Sequence, residues 1–387
     1  MRVLIYSHAF SPKVGGTETV VMLLAQGLAR YSERSSDTRF ELTLVTPTPA
    51  EGVDDSDLPF RVVRQPTLVA LVQLLRRSDI IHLAGPALVP LMVGLLLRKA
   101  IVIEHHGFQA VCPNGQLLYN PSQTLCPGHF MAKRYRKCIR CNAAYGKLQS
   151  FKMWLLTFPR RWLCQHVSAN VLPTDWLASI LQLKRTVTIH HGLAPPKDDQ
   201  AGHAAPTVPT FAFVGRLVSS KGARVLLEAA QQLKATGYVF RIRIIGEGPE
   251  REPLETLAQG LQIQDCIHFL GYVSNQQLQQ SLSDTVALVV PSLAGEVFGL
   301  VVVENMLHGR TLIVSDIGSL REVVGDAALA FPAGDFSALA QCMQQVIEMP
   351  ALAASLGTAA RARATQLFSQ DSMIERHISL YHRLLCS

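Results

Sequence analysis

Short β-like apolar runs alternate with stretches of helical period along this 387-residue chain, and the pattern starts over once. That alternation constrains the fold more than any other feature. Strands separated by helices pair in parallel, with the helices crossing over the faces of the sheet. In the first half the runs fall at residues 3–7, 41–46, 61–64, 80–84, 100–104, 168–172 and 187–190, and an amphipathic helix is expected over Thr17–Tyr31. The polar stretch PPKDDQAGHAAPTVP, residues 195–209, has no apolar period and reads as a linker. Runs resume at 210–214, 241–245, 268–270, 286–290, 312–315 and 328–331, with a helix expected over Ala223–Thr236. The tail from Ala351 to Leu385 is helical by period. The length suits two ordinary cores. The expected class is α/β, with two doubly wound, Rossmann-like domains. Ligands of such sheets sit beyond the C-terminal ends of the strands, so the residues just after each strand are the ones to read for chemistry.

Hydrophobic residues make up 48% of the chain and charged residues 17%, which raises the question of a membrane span. The longest apolar runs, Ala87–Leu97 and the stretch around Trp154, fall short of the roughly 18–20 residues a spanning helix needs. The opening MRVLIYSHAF meets polar residues and Pro12 too early for a signal peptide. A cytoplasmic protein without a span is therefore expected. The net charge of +7 suits polyanions, but does not choose among nucleic acid, an anionic membrane and phosphate-bearing ligands.

Several segments that follow strands carry chemistry. After the run ALVVPS comes Glu296, then a helix start near Gly299, then Glu304 within the helix. The unpaired N–H groups of such a helix start, with its dipole, suit a diphosphate. Glu296 suits sugar hydroxyls and Glu304 a ribose diol, although two glutamates eight apart are equally an acid near a helix start and an ordinary helical Glu. In FAFVGRLVSSKG, residues 211–222, Arg216 and Lys221 follow a strand end and suit the developing charge of a pyrophosphate leaving group. In SPKVGGTET, residues 11–19, Gly15 and Gly16 permit close approach of backbone to a phosphate. IVIEHHGF, residues 101–108, puts histidine at a strand end. IIGEGPER, residues 244–251, imitates a dinucleotide fingerprint through Gly246 and Gly248 but has Arg251 at its last glycine.

The block PSLAGEVFGLVVVENMLHGRTLIVSDIGSLREVV, residues 291–324, resembles glycosyltransferase family 4. That resemblance implies the GT-B fold, two Rossmann-like domains facing across a cleft, and transfer with retention. The expected domains are 1–195 on the acceptor side and 196–365 for the nucleotide sugar, with a helix at 366–387 packing back on the first. The family's Glu-x7-Glu motif falls on Glu296 and Glu304, with Phe298, Gly299 and Leu300 lining the donor. It further implies that Arg216 and Lys221 hold the donor phosphates and that the Gly15–Gly16 loop closes over donor and acceptor. Gly246 and Gly248 would lie near the base, and His106, with His105 the alternative, near the transferred sugar. Two departures concern loop detail: Ser319 stands where a second glycine is usual, and Thr311 where proline is common.

An insert at about 109–165 holds Cys112, Cys126, Cys138 and Cys141, with a terminal Cys-x-x-Cys. Structural zinc, buried thiols, a redox pair at Cys138 and Cys141 and an iron–sulfur cluster all fit that pattern. Some family members have a similar arrangement. The insert is also basic, and in Lys147–Cys164 lysines and arginines flank Phe151, Trp154, Leu155, Phe158 and Trp162. That composition suits either an interfacial helix on anionic lipid or a core helix with a solvated face.

The function expected is retaining transfer of a sugar from a nucleoside diphosphate, UDP or GDP, to a glycan or lipid-linked glycan in polysaccharide or glycolipid biosynthesis. Glu296, His106, Arg216 and Lys221 form the reacting group of residues, and no catalytic metal is expected. A peripheral place on the inner membrane face follows if residues 147–164 bind lipid. The competing readings are a nicotinamide-dependent oxidoreductase built on Gly246 and Gly248, and a basic nucleic-acid binder.

Overall fold

The structure, a computed structural model, describes residues 1–12, 15–34, 39–196 and 208–386. Most of the expected linker at 195–209 lies outside them, as do Lys13 and Val14 before the Gly15–Gly16 pair. The chain divides into two compact units: residues 1–115, 128–194 and 368–387, and residues 116–127 and 195–367.

In chain order the first unit begins with β1 (Arg2–Ser7), α1 (Gly16–Arg34), β2 (Glu41–Thr46) and β3 (Arg61–Arg64). It continues through α2 (Leu68–Arg77), β4 (Ile80–Ala84), α3 (Leu88–Leu96) and β5 (Ala100–Glu104). The chain then makes a hairpin of β6 (Leu118–Tyr119) and β7 (Thr124–Leu125), which groups with the second unit and not with the rest of the insert. It returns through α4 (Tyr135–Cys141), α5 (Lys147–Cys164), β8 (Ala169–Leu172), α6 (Asp175–Leu181) and β9 (Thr186–Thr188). The seven strands form one parallel sheet in the order β3-β2-β1-β4-β5-β8-β9. Central strands such as β4 and β5 are apolar almost throughout because helices cover both faces.

The second unit runs β10 (Thr210–Val214), α7 (Ala223–Ala235), β11 (Arg241–Ile245), α8 (Arg251–Gly260), β12 (Ile267–Gly271) and α9 (Asn275–Leu282). It goes on through β13 (Ala287–Val290), α10 (Leu300–Leu307), β14 (Leu312–Ser315), α11 (Gly318–Val324), β15 (Leu329–Phe331), α12 (Phe336–Glu348) and α13 (Pro350–Leu367). Its six parallel strands are ordered β12-β11-β10-β13-β14-β15. The helical tail is not one element. It breaks at Phe368–Ser369, and α14 (Gln370–Cys386) packs on α1 in the first unit. Two glycines permit that return: a Cβ on Gly27 would lie 2.4 Å from Ile374 Cδ1, and one on Gly192 would lie 2.2 Å from the Ser369 carbonyl.

Each sheet winds outward in both directions from one pair of strands, β1/β4 in the first unit and β10/β13 in the second. The loops leaving those strands diverge and open a crevice there, where doubly wound proteins bind their ligands.

Candidate active site

In the second unit, Arg216 and Lys221 lie beyond the end of β10, and Glu296 lies beyond β13. The switch point thus brings together residues 75 positions apart in sequence. Lys221 Nζ donates to Glu296 Oε1, and Ser292 Oγ donates to the same oxygen at 2.9 Å. Both contacts fall on Oε1. The glutamate is only 7% exposed, and a carboxylate that deep needs a partner, which Lys221 provides. Its backbone is fixed as well: Ser319 Oγ donates to the Glu296 carbonyl at 2.8 Å. The serine that replaces the usual second glycine therefore has a structural task. Arg216 is exposed, with no side-chain partner among the described residues.

Gly299, at φ +89, ends this loop and starts α10 without any side-chain cap. The Val302 and Val303 N–H groups donate to the Gly299 carbonyl at 2.9 and 3.2 Å, and the Leu300 and Val301 N–H groups precede them at the helix start, where an anion would meet them. Phe298 is 1% exposed. Glu304 lies half-buried on α10, and burial pushes its carboxyl above the usual carboxylate range.

The glycines of this crevice have packing reasons. A Cβ on Gly222 would lie 1.9 Å from the Pro291 carbonyl, one on Gly246 2.0 Å from the Gly215 carbonyl, and one on Gly248 2.3 Å from the Leu217 carbonyl. Backbone hydrogen bonds run the same way, Leu217 N–H to Glu247 O at 2.9 Å and Leu293 N–H to Ser220 O at 2.8 Å. Three loops are thereby zipped together by close backbone contact. Gly246 and Gly248 belong to this zipper, which accounts for the imitation of a dinucleotide fingerprint.

In the first unit, a cavity of about 400 Å³ opens at the β1/β4 switch point, lined by His8, Glu18, Gly85, His106, Gln109 and Arg160 among others. Here the pair of adjacent histidines separates. His105 is fully buried, its Nε2 lies 2.8 Å from Asn170 Oδ1 on β8, and burial pushes its pKa down to about 4. It is a neutral tie between strands. His106 instead lines the cavity, with its ring stacked on His191 at 5.2 Å between centroids. Its Nε2 lies 3.6 Å from Glu104 Oε2. Burial opposes ionisation of Glu104, but attraction to His106, then to His191 and His82, holds its carboxyl well below the usual range. Sequence reasoning missed Glu104, His191, His8 and Arg160 as neighbours of the site. Of these only Glu104 and His8, next to strand ends, carried a signal.

The Gly15–Gly16 pair precedes and opens α1. Gly15 O accepts from Thr19 N at 3.0 Å and from Thr19 Oγ1 at 2.9 Å, and the Glu18 carboxylate lies where a Gly15 Cβ would meet it at 2.6 Å. The Glu18 carboxylate thus lies beside Gly15. Cys138 and Cys141 lie one turn apart on α4, both buried, and Cys112 is buried nearby in sequence. Cys126 groups with the second unit. Among the described residues one group of His and Glu side chains could hold a metal ion: His82, Glu104 and His377, all in the first unit.

Residues 196–363 match the family model described as glycosyl transferases group 1. The chain is 34% identical over 163 residues to the D-rhamnosyltransferase WbpZ of Pseudomonas aeruginosa, covering 41% of each chain. Over 171 residues it is 30% identical to a glycogen synthase of Mycobacterium tuberculosis, covering 44% of this chain and 41% of the other. The matched stretch is thus under half the length of these relatives. Among solved structures, sucrose-phosphate synthase of Thermosynechococcus elongatus is similar over 100% of this chain and 99% of its own, with a TM-score of 0.74 and 20% identity. HepE of Anabaena, solved in complex with UDP-glucose, is similar over 99% of this chain and 100% of its own, with a TM-score of 0.72 and 17% identity. These likenesses show the fold, which is GT-B.

Proposed function

We propose that this chain is a retaining glycosyltransferase, moving a sugar from a UDP- or GDP-linked donor to a glycan or lipid-linked glycan in polysaccharide or glycolipid biosynthesis. The observation that carries the reading is the Lys221–Glu296 pair at the β10/β13 switch point, beside exposed Arg216 and the uncapped start of α10. When the anomeric C–O bond breaks, negative charge grows on the diphosphate. Arg216, Lys221 and the α10 N–H groups stabilise that charge without a bound metal. Glu296 orients the donor sugar, and Glu304 accepts hydrogen bonds from the ribose. Retention rests on the resemblance to family 4. His106 and the cavity beside it serve the sugar and the acceptor. The match to a glycogen synthase supports polysaccharide synthesis as the setting. A donor-hydrolysis panel across nucleotide sugars tests the whole reading. Wild type should release nucleotide from one donor class and Glu296→Ala should not; a thermal shift with NADH and none with any nucleotide sugar would sink it.

The first unit favours an acceptor presented at a membrane. On α5 the exposed apolar residues Leu148, Phe151, Leu155, Phe158 and Trp162 repeat at alternating steps of three and four, which is one face of a helix. Leu148 is 82% and Trp162 62% exposed. Neighbouring α3 adds Met92 and Leu96, the latter 81% exposed. No aspartate or glutamate stands between Glu104 and Asp175, while nine lysines and arginines do. An apolar face within an acid-free basic segment suits anionic lipid. The same helix turns Arg160 into the 400 Å³ cavity, where it can meet a lipid-linked phosphate. No helix of the described residues is long and apolar enough to cross a membrane. The cytoplasmic, peripheral placement rests on this surface. Binding to vesicles containing anionic lipid, absent with neutral lipid, is the expected outcome.

A further inference from the structure

We infer that His82, Glu104 and His377 form a buried site for a divalent transition-metal ion, zinc by its ligand chemistry, that pins α14 to the sheet of the first unit. The three residues come from β4, the end of β5 and α14, and each side chain is fully buried. Their ligand atoms lie within 4.8 Å of one another. His82 Nε2 is 3.1 Å from Glu104 Oε2, and His377 Nε2 is 3.9 Å from Glu104 Oε1.

The hydrogen bonds on the far sides of the rings decide what the near sides offer. His377 Nδ1 lies 2.9 Å from the Met373 carbonyl, which only accepts, so the ring hydrogen is on Nδ1. A neutral His377 then presents a lone pair from Nε2 toward a carboxylate oxygen that also has only lone pairs. Glu104 Oε1 and His377 Nε2 are both buried and both lack a hydrogen-bond partner. Two lone pairs converging with nothing between them is the arrangement a cation resolves. His82 Nε2 is hydrogen-bonded to Glu104 Oε2 at 3.1 Å and its Nδ1 lies 2.8 Å from the Tyr381 hydroxyl, which can donate or accept, so the ring offers Nε2 as a ligand in the tautomer that donates from Nδ1. A carbonyl partner fixes the tautomer of a metal-bound histidine, and partners of both kinds orient its ring.

Two further rings face the same carboxylate. His191 Nδ1 is 3.4 Å from Oε1, after β9, and His106 Nε2 is 3.6 Å from Oε2. His191 can supply a fourth ligand. Zinc takes such nitrogen and carboxylate ligands at about 2.0–2.2 Å, so tetrahedral neighbours stand roughly 3.3 Å apart and the group must contract by up to about 1.5 Å at its widest. Its complete burial makes the site structural and loads it as the unit folds. The alternative occupant is a proton shared between Glu104 and one imidazole.

Expression of the full chain in zinc- or cobalt-supplemented medium, followed by elemental analysis and visible spectroscopy, separates the two. Wild type should retain about one metal ion per chain through gel filtration with chelator. The cobalt form should show tetrahedral d–d bands and no thiolate-to-cobalt charge-transfer band. His377→Gln and His82→Gln should reduce metal content to under about a tenth, while Cys138→Ser with Cys141→Ser leaves it unchanged. Tyr381→Phe should keep the site but weaken affinity by about 10–100-fold. If the histidine variants do not fold, the cobalt spectrum of wild type decides alone. Folded wild-type protein without metal overturns the inference in favour of the shared proton. A thiolate band overturns it in favour of the cysteine segment.

Discussion

The two units share a topology and differ in how they finish it. At the β10/β13 switch point the loops interlock so tightly that Gly222, Gly246 and Gly248 have no room for a Cβ. At the β1/β4 switch point Gly85, at φ +98, would have nothing within 4 Å of a Cβ, and a 400 Å³ cavity lies beside it. The first arrangement holds cations and a carboxylate at fixed positions before any ligand arrives, as a small, charged, invariant group such as a diphosphate requires. The second leaves space to be shaped by whatever occupies it. Under the proposed function the first would serve the donor and the second the acceptor.

The largest test of this contrast is removal of the cation in the interlocked loops. Lys221→Ala takes away charge stabilisation of the leaving group, and we expect turnover to fall by about 10²–10³ with the fold retained. His8→Ala, in the open cavity, should change the acceptor KM by much less. Steady-state kinetics with saturating donor compare the two. Equal losses would erase the distinction between the units.

A second test is steric. Gly222→Ala forces a Cβ to 1.9 Å from the Pro291 carbonyl at φ +69, so backbone as well as side chain must yield. We expect a cost on the order of 3 kcal/mol, from left-handed strain plus overpacking. Gly85→Ala meets no neighbour and should cost about 1–2 kcal/mol, the strain alone. Denaturant unfolding followed by a tryptophan signal and by circular dichroism measures both. A Gly222 variant no weaker than the Gly85 variant would mean that the loops are not interlocked in solution.

This contrast explains what was legible in the sequence. The alternation of apolar runs located the strands because parallel central strands are buried on both faces, as β4, β8, β13 and β14 are. Glu296, Arg216 and Lys221 were legible because they directly follow strands, and the switch point then gathers them. Gly246 and Gly248 were legible as glycines, but not the reason for them, since packing and ligand approach leave the same letter. The Glu104 cluster was illegible because it draws single residues from β4, β5 and α14, nearly 300 positions apart, and no local spacing records that. The Cys-x-x-Cys of Cys138 and Cys141 is by contrast a local pattern, and both residues lie on α4.

The apolar face of α5 gives a third test. Leu148→Glu with Trp162→Glu removes two exposed anchors without touching the cavity, and we expect partition onto anionic vesicles to fall by about 10–100-fold. Activity on a soluble acceptor fragment should persist. Loss of both together would show that α5 is a core element of the unit and not a docking surface.

The smallest effect concerns Glu304 and its pH dependence. Burial raises its carboxyl pKa, so the folded state holds this proton more tightly than the unfolded chain does. Ionising Glu304 therefore costs stability as pH rises through the interval from the ordinary carboxylate value to the raised one, and the cost is constant above it. Donor binding has the opposite sign. Only the ionised form accepts both hydrogen bonds of a ribose diol, so affinity should weaken as pH falls through the raised pKa, while exposed carboxylates are still charged. A charged acceptor gains about 1 kcal/mol over a neutral one, which makes the expected loss about fivefold. Titration calorimetry with the nucleoside diphosphate over the acidic range measures it, and Glu304→Gln should flatten the curve at its weak limb. An unchanged slope in that variant would assign the titration to another group and remove the ribose role from Glu304, leaving Glu296 as the one glutamate of the pair that meets the donor.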